Sequence, residues 1–215
     1  MMRIGYAIFC MIVVFLLHNF TVMQFSDLDL TKSYTYADYL KWQFDERLEL
    51  IKGKIFKMSP APGYTHQRIS QYVNVKLYNF LTGKPCVVCV APFDVLLSRT
   101  VNEEHIITVL QPDLCVICDT SKITERGCLG APDIVVEILS PGNNKKELQN
   151  KYEVYEEAGV QEYWIIHPSE KTFFKYTLIN GAYQASRLLT VGDEVITPVL
   201  PGFVLSLEEV FADKL

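Results

Sequence analysis

The sequence lacks internal repeats, low-complexity stretches and long blocks of like charge. These absences, with an apolar fraction of 49%, exclude repeat proteins, collagen-like fibres and disordered chains. An excess of positive charge is also missing, because 20 basic residues face 25 acidic ones and the net charge is −5. The surface as a whole therefore does not attract nucleic acid, and any site for a polyanion must be local.

The chain also lacks an apolar run of the length that a membrane-spanning helix needs, about 20 residues. The apolar run near the N-terminus extends only from Ile4 to Leu17, and no Ala-x-Ala-like cleavage signature follows it. Three interpretations of residues 1–25 stay open: translation starts at Met23, the segment is a signal or a membrane anchor, or it is a packed N-terminal helix. The first favours a cytoplasmic protein and the second an exported or membrane-anchored one. Residues 26–215 are predicted to form a single domain.

Two Cys-x-x-Cys pairs raise the question of zinc. Cys86 and Cys89 lie in one β-branched apolar run, and Cys115 and Cys118 lie in another. A zinc knuckle needs a tight turn, whereas residues i and i+3 of a strand point to opposite faces. Neither pair can therefore hold one ion or close a disulfide within itself. We predict reduced thiols packed in the core, which suits a reducing compartment.

Hydrophobic periodicity predicts an α/β fold with a mixed central sheet. The expected elements are a short helix over 35–43, a β-hairpin around Lys52-Gly53, a helix capped by Thr65, strands over 86–97, 109–118 and 133–139, a helix from Asn144 to Gly159, a strand over 162–167, a hairpin around Asn180-Gly181, and a last strand over 198–205. The run over 133–139 is the most apolar, and such a run is typical of a central strand covered on both faces.

Two acidic residues are unusual because they accompany apolar strands. Asp113 stands at the entry to one strand, and Glu137 lies inside the most apolar one. Burying a carboxylate costs several kcal/mol unless a cation or hydrogen bonds compensate for it. Two converging carboxylates, completed by a backbone carbonyl and water, would suit Mg²⁺ or Mn²⁺. The alternative is that Glu137 pairs with a basic side chain and Asp113 caps a loop.

The helix that follows Glu137 can bring a lysine to the same place. At 100° per residue, Tyr152 and Tyr155 define its sheet-facing stripe, and Lys151 and Lys145 border that stripe on opposite sides. If the helix runs back over the strand, its rise of 1.5 Å per residue carries Lys151 toward Glu137 and leaves Lys145 near the preceding loop. The alternative for Lys151 is an ammonium group extended to solvent.

Several motifs in one collinear order, from Tyr34 to Phe211, resemble the Uma-two family of the PD-(D/E)XK nuclease superfamily. They are Glu46-Arg47-Leu48-Glu49-Leu50-Ile51-Lys52-Gly53-Lys54-Ile55, Met58-Ser59-Pro60-Ala61-Pro62 with His66, Ala91-Pro92-Phe93-Asp94-Val95, Gln111-Pro112-Asp113-Leu114, residues 131–141 (APDIVVEILSP), and Lys151 with Gly159-Val160-Gln161-Glu162-Tyr163-Trp164.

The resemblance implies a restriction-endonuclease-like core, in which a helix, three strands, a helix and a fourth strand follow one another, here with added N- and C-terminal β-hairpins. It implies that Asp113 and Glu137 bind Mg²⁺ or Mn²⁺. The lysine that usually follows the acidic residue by two positions is replaced here by Leu139, and Lys151 matches the lysine that takes over in this family. Glu49 matches a further acidic residue of the site, although a surface charge on the hairpin is the alternative.

The implied activity is that of a DNA endonuclease that acts as a homodimer without a small-molecule cofactor. The basic residues that could contact DNA are Lys52, Lys54, Lys57, Arg68, Lys145 and Lys146. His66 is either a core or capping residue or a neighbour of the site. Two other functions stay open, namely a non-catalytic nucleic-acid-binding or regulatory protein and, if residues 1–25 are an anchor, a membrane-tethered interaction protein.

Overall fold

The computed structural model describes residues 24–43, 45–58, 62–140 and 145–212, and for residues 145–147 the backbone alone. The interpretations of residues 1–25 therefore fall almost wholly outside the described residues and stay predictions. Within the described stretches, no helix combines the length and the apolar composition that crossing a membrane requires.

Four α-helices, fifteen strands and three single-turn 3-10 helices, at Phe25–Asp27, Glu103–His105 and Thr120–Lys122, make up the regular structure of these stretches. The helices are α1 (Tyr36–Tyr39), α2 (Tyr64–Leu81), α3 (Lys145–Ala158) and α4 (Leu207–Val210). The strands are β1 (Leu48–Ile51), β2 (Lys54–Lys57), β3 (Val87–Val90), β4 (Val95–Leu96), β5 (Val109–Leu110), β6 (Leu114–Ile117), β7 (Ile123–Thr124), β8 (Gly127–Leu129), β9 (Ile134–Ile138), β10 (Glu162–His167), β11 (Thr172–Ile179), β12 (Ala182–Ala185), β13 (Leu189–Thr190), β14 (Glu194–Ile196) and β15 (Val204–Ser206).

The central sheet has the strand order β12-β11-β10-β9-β6-β3, with β13 paired to β11. Strands β9 and β10 are parallel, and the other neighbours in this sheet are antiparallel. Every residue of β9 is buried, because α2 covers one face of the sheet and α3 covers the other. Ile69 and Val73 of α2 pack with Val136, whereas Tyr155 of α3 packs with Val135.

The order α2, β3, β6, β9, α3, β10 confirms the expected nuclease-like core of helix, three strands, helix and strand. In the sheet, the four strands of this core are consecutive neighbours. The hairpins predicted on either side are present as β1–β2 and β11–β12. Their turns use left-handed backbone at Lys52-Gly53 and Asn180-Gly181, which glycine and asparagine adopt at little cost.

A second sheet, with the order β2-β1-β5-β4-β8-β7, lies on the far side of α3. Ile51 of β1 and Leu110 of β5 belong to the same apolar cluster as Val154 of α3. Helix α3 is therefore packed between the two sheets. Position 53 in the turn before β2 has no room for a side chain, because a Cβ atom on Gly53 would lie 2.0 Å from Ser33 Oγ.

Three details of the expected elements were wrong. Helix α2 begins at Tyr64 after Gly63, which makes no side-chain capping bond, so Thr65 is inside the helix and does not cap it. The runs over 86–97 and 109–118 are each split between the two sheets, because β3 and β6 belong to the central sheet and β4 and β5 to the second one. The last run is extended only from Val204 onward, where β15 pairs with β14.

The prediction of reduced thiols was wrong for two cysteines, because Cys86 and Cys118 form a disulfide. Strands β3 and β6 pair antiparallel with Val87 opposite Ile117, and this register places Cys86 opposite Cys118. The bond joins the two Cys-x-x-Cys runs and does not close within either, as the opposite-face argument requires. Among the described residues, Cys89, Cys115 and Cys128 are free thiols, and they pack on the other face of the sheet.

Candidate active site

Glu137 projects from the middle of β9 toward α3. Strand alternation places its side chain on the same face as Val135, which packs against that helix. The side chain is only 11% exposed. Its Oε1 atom accepts hydrogen bonds from Lys151 Nζ at 2.9 Å and from Tyr155 Oη at 3.1 Å. Both donors belong to α3 and stand four residues apart, on one face of the helix.

Lys151 lies between two carboxylates that come from different sheets. Its Nζ atom is 2.9 Å from Glu137 Oε1 and 3.0 Å from Glu49 Oε1. Glu49 is on β1 and is buried, because its side chain faces α3 together with that of Ile51. The predicted contact between Lys151 and Glu137 is thus present, and it is also the pairing with a basic side chain that the sequence left open as the alternative to a metal site. The solvent-exposed alternative for Lys151 is wrong. The surface-charge alternative for Glu49 is wrong as well.

The close contacts within this cluster shift the pKa values of Glu137 and Lys151. Burial and the neighbouring carboxylates of Asp113 and Glu49 raise the pKa of Glu137 to about 7, although Lys151 acts in the opposite direction. Burial lowers the pKa of Lys151, but the two carboxylates that it contacts outweigh burial and raise that pKa well above its usual value. Lys151 therefore stays protonated, whereas the carboxyl group of Glu137 is only partly ionised near neutral pH. A second cation near Glu137 would favour its ionised form.

Asp113 stands at the open side of the cluster, where its side chain is 21% exposed. Its Oδ2 atom accepts the backbone N–H of Ile138 at 2.7 Å and lies 3.2 Å from His66 Nε2. This hydrogen bond holds the carboxylate of Asp113 at the end of β9, at the residue that follows Glu137. The sequence predicts that Asp113 and Glu137 converge from adjacent strands, and the pairing of β6 with β9 brings them to the same end of the sheet.

His66 occupies the first turn of α2 and contacts the same end of β9. Its ring is buried, and it faces both the Asp113 carboxylate and the backbone carbonyl of Ile138. Burial lowers the pKa of His66, but these two acceptors outweigh burial and raise that pKa above its usual value. The structure thus places His66 beside the site, and the N-terminus of α2 does not use it as a cap.

A hydrogen-bond network around Gln111 holds Glu49 and the chain segment that leads to Asp113. The backbone N–H of Gln111 donates to Glu49 Oε1 at 2.9 Å, and the Gln111 side chain donates to Asp94 Oδ1 at 2.7 Å. Arg47 donates to Gln111 Oε1 at 2.7 Å. Burial raises the pKa of Asp94. Arg47, Asp94 and Gln111, which come from three different sequence motifs, therefore belong to one hydrogen-bond network that holds Glu49 in position.

The sequence did not identify Tyr155 or the Gln111 backbone as parts of the site. Tyr155 was assigned to the core stripe of α3, although its spacing of four residues from Lys151 already places both side chains on one helix face. The Gln111 contact had no such signal, because it depends on how β1 and β5 pair, with Leu50 opposite Val109.

Three of the basic residues proposed to contact DNA, Lys52, Lys54 and Lys57, lie on the β1–β2 hairpin. Each of the four whose side chains are described has a protein partner: Glu157 for Lys52, the carbonyls of Thr31 and Lys32 for Lys54, Glu46 for Lys57, and the carbonyl of Val210 for Arg68. Arg68 is buried and holds the C-terminal segment to α2. The side chains of Lys145 and Lys146 lie outside the described residues.

The donors at this site fit a hard divalent cation in part. Among the residues that the structure describes, no three side chains of His, Cys, Asp or Glu form a ready-made metal cage, because Glu137 Oε1 is turned to Lys151 and Tyr155. The chemical type of the remaining donors suits such an ion, because Asp113 and Glu137 supply carboxylate oxygens, and Asp113 Oδ2 lies 3.2 Å from His66 Nε2.

Comparisons with known proteins agree with this architecture. A solved structure described as a "putative nuclease belonging to DUF820", from Anabaena variabilis ATCC 29413, matches with a TM-score of 0.64 and 22% sequence identity, covering 82% of this chain and 97% of that chain. At this identity the likeness shows the fold. No curated protein matches the sequence. The model of the Uma2 family, described as "Putative restriction endonuclease", matches residues 36–208, and this chain therefore belongs to the Uma2 family.

Proposed function

We propose that this chain is a metal-dependent DNA endonuclease that hydrolyses phosphodiester bonds at the cluster of Asp113, Glu137, Lys151 and Glu49. The observation that carries the proposal is the position of Lys151, buried between Glu49 and Glu137 with Asp113 beside them. A buried pair of ions is a weak means of stabilising a fold. Strongly shifted pKa values beside a partly exposed carboxylate are typical of catalytic sites.

Asp113 and Glu137 would hold Mg²⁺ or Mn²⁺, with the carbonyl of Ile138 as a further oxygen donor. When bound, the ion would lower the pKa of a coordinated water and neutralise charge that develops on the phosphate. Ionised Glu137 is needed for this role. Lys151 favours that ionised form, because its charge acts against the effects that raise the pKa of Glu137.

Lys151 has three N–H donors, and the two carboxylates account for two of them. We assign the third donor to the attacking water or to a phosphate oxygen, where a fixed positive charge stabilises the transition state more than the bound substrate. Tyr155 and the backbone N–H of Gln111 hold Glu137 and Glu49, respectively, in place. Because these partners are fixed in the folded protein, the site needs little rearrangement during the reaction.

A cavity of about 750 Å³ adjoins the site and gives room for the substrate. Its polar lining comes from the start of α2 and from the ends of the parallel strands β9 and β10, and includes Thr65, His66, Ser140, His167 and Ser169. Hydroxyl and imidazole groups donate to phosphate oxygens, and the apolar part of the lining suits a base or a sugar. His66 belongs to this lining and also contacts Asp113, so it is the residue through which the cavity adjoins the proposed site.

The homodimer that the resemblance implies belongs to the same proposal. Two sites in one dimer could act on the two strands of a duplex. The proposal contains no small-molecule cofactor. Light scattering coupled to size exclusion should give a mass of about twice 24.6 kDa for the active protein, and a single-chain mass would remove the dimer from the proposal while leaving the site unchanged.

Plasmid cleavage tests the function itself. Metal-free protein is incubated with supercoiled plasmid and with single-stranded DNA, in Mg²⁺ or in EDTA, alongside two variants. Glu137→Gln removes the proposed ligand, and Glu162→Gln is its matched control, since Glu162 is also a buried strand carboxylate but is bound by Trp164 Nε1. We expect nicking by the wild type and by the Glu162 variant in Mg²⁺ alone. Cleavage that persists in EDTA or in Glu137→Gln would refute this mechanism, and binding without cleavage under every condition would favour the non-catalytic alternative.

A further inference from the structure

Cys89 and Cys115 face each other across two antiparallel strands of the central sheet. The register of β3 and β6 places them directly opposite, so both side chains lie on one face of the sheet. The same register continues at Ala91, whose N–H donates to the carbonyl of Asp113 at 3.0 Å. Hydrogen-bonded pairs recur at every second residue, and the Cα atoms of such a pair are about 5.5 Å apart. Disulfides join Cα atoms about 4.4–6.8 Å apart, so these two sulfur atoms can form one without a movement of the backbone.

The two thiols differ in their access to solvent. Cys89 is partly exposed, whereas Cys115 is only 1% exposed. A small solute therefore meets the sulfur of Cys89 and not that of Cys115. Hydrogen bonding by the Cys115 thiol lowers the pKa of Cys89 to about 7, although partial burial acts in the opposite direction. Near neutral pH a large fraction of Cys89 is thus the thiolate, which is the nucleophilic form of cysteine.

We propose that Cys89 is a modification site at which small hydroperoxides oxidise the protein, and that Cys115 then closes a disulfide with it. The inference goes beyond the proposed nuclease function and does not depend on it. It requires an oxidant of the hydroperoxide class, which reaches the partly exposed sulfur of Cys89 from solvent. The buried thiol opposite is in place to react with the oxidised sulfur.

The reaction has two steps. In the first, the Cys89 thiolate attacks one oxygen of the hydroperoxide, so that an S–O bond forms and the O–O bond breaks. The sulfur is oxidised to a sulfenic acid, and the peroxide is reduced to an alkoxide or hydroxide, which takes a proton from water. In the second, Cys115 loses its proton and attacks the sulfur of Cys89, so that the S–S bond forms and the S–O bond breaks. The departing hydroxide combines with that proton as water.

The other described cysteines do not share this chemistry. Cys128 packs in the same apolar cluster as Cys89, but it is fully buried and its thiol donates to the carbonyl of Gly130 at 3.5 Å. Burial raises the pKa of Cys128 to about 11, so it stays a neutral thiol. The disulfide of Cys86 and Cys118 packs on the opposite face of the sheet, where it cannot exchange with Cys89.

Mass spectrometry of the full chain tests the inference without measuring cleavage. Near pH 7, iodoacetamide should alkylate Cys89 of the folded wild type at least about a hundredfold faster than Cys128, whose thiolate fraction is far smaller. In protein that has not been alkylated, an equimolar amount of hydrogen peroxide should remove two hydrogen atoms and protect Cys89 and Cys115 from alkylation after unfolding. Dithiothreitol should reverse both changes. Cys115→Ala should stop at a sulfenic acid, with one oxygen atom gained, and the control Cys128→Ala should match the wild type.

Peptide mapping locates the new bond. Cys86 and Cys118 already join the same two strands, so the mapping uses Cys86→Ala/Cys118→Ala, in which a peroxide-dependent link between these strands requires Cys89 and Cys115. Absence of that link in the folded variant would overturn the inference, and so would a wild type in which peroxide adds oxygen to Cys89 and leaves Cys115 open to alkylation. Alkylation of Cys89 no faster than that of Cys128 would also overturn it. The wild-type measurements need no substitution, so an unstable variant leaves the test intact, and no outcome bears on the proposed nuclease function.

Discussion

Glu49 and Glu137 bind the same ammonium group, that of Lys151, although they belong to different sheets. Glu49 comes from β1 in the second sheet and Glu137 from β9 in the central sheet. Helix α3 lies between the sheets and presents Lys151 to both. The lysine is therefore an electrostatic link between the central sheet and the second sheet.

Removal of Lys151 should destabilise the protein strongly. The variant Lys151→Met leaves two buried carboxylates without their cation, and breaking a buried ion pair in this way costs about 3–5 kcal/mol. Lys52→Met is the matched control, because Lys52 pairs with Glu157 on the surface, where an ion pair contributes at most about 1 kcal/mol. Urea denaturation of the metal-free proteins measures both changes. Equal losses in the two variants would contradict the electrostatic link.

The stability of the metal-free protein should depend on the ionisation of Glu137. Its pKa is about 7 in the folded state, above the value near 4.3 that a glutamate has in an unfolded chain. Between these values the folded state binds more protons than the unfolded state, so the free energy of unfolding should fall as the pH rises from about 4.5 to about 7.

The expected loss over that window is about 3 kcal/mol, at about 1.4 kcal/mol for each pH unit between the two pKa values. Glu137→Gln cannot ionise and should lack this loss. Chemical denaturation of both proteins in EDTA, at intervals across the window, gives the comparison. Parallel pH profiles for wild type and variant would show that Glu137 has an ordinary pKa.

The core of the fold was predictable because each of its elements carries a local signal. The apolar run of β9 is typical of a central strand covered on both faces, and Gly159, which adopts a left-handed backbone, directly follows α3. The approach of Lys151 to Glu137 was predictable for the same reason, since helix geometry and the crossing of α3 over β9 determine it. These inferences require only the sequence close to each residue.

What the sequence could not predict depends on strand register and on packing between the sheets. The burial of Glu49 follows from the packing of β1 against α3, which no periodicity in β1 alone reveals. The disulfide depends on the register that sets Cys86 opposite Cys118 across β3 and β6. The contact of His66 with Asp113 likewise requires knowledge of where the first turn of α2 meets the end of β9.

The disulfide between Cys86 and Cys118 should be detectable in the purified protein. Peptide mapping without reductant should link the segments that contain these two residues, which are 32 positions apart. Closing a loop of that length stabilises a protein by about 2–4 kcal/mol, so dithiothreitol should lower the free energy of unfolding by that amount. Alkylation of both cysteines without reductant would contradict the assignment.

Two double variants separate the disulfide from a general effect of reductant. Cys86→Ala/Cys118→Ala should be insensitive to dithiothreitol. Cys89→Ala/Cys115→Ala removes the pair of free thiols on the other face of the same two strands, and it should lose stability on reduction as the wild type does.

The effect of divalent metal on thermal unfolding tests most directly whether Asp113 and Glu137 form a cation site. A ligand that binds only the folded state at 100 times its dissociation constant adds about 2.7 kcal/mol, which for a chain of this size raises Tm by about 5–10 °C. Calorimetry in Mg²⁺ or Mn²⁺ should show such a rise for the wild type and for Glu162→Gln, and none for Asp113→Asn/Glu137→Gln. A wild type that does not respond to either ion, or a double variant that responds as the wild type does, would contradict the metal site.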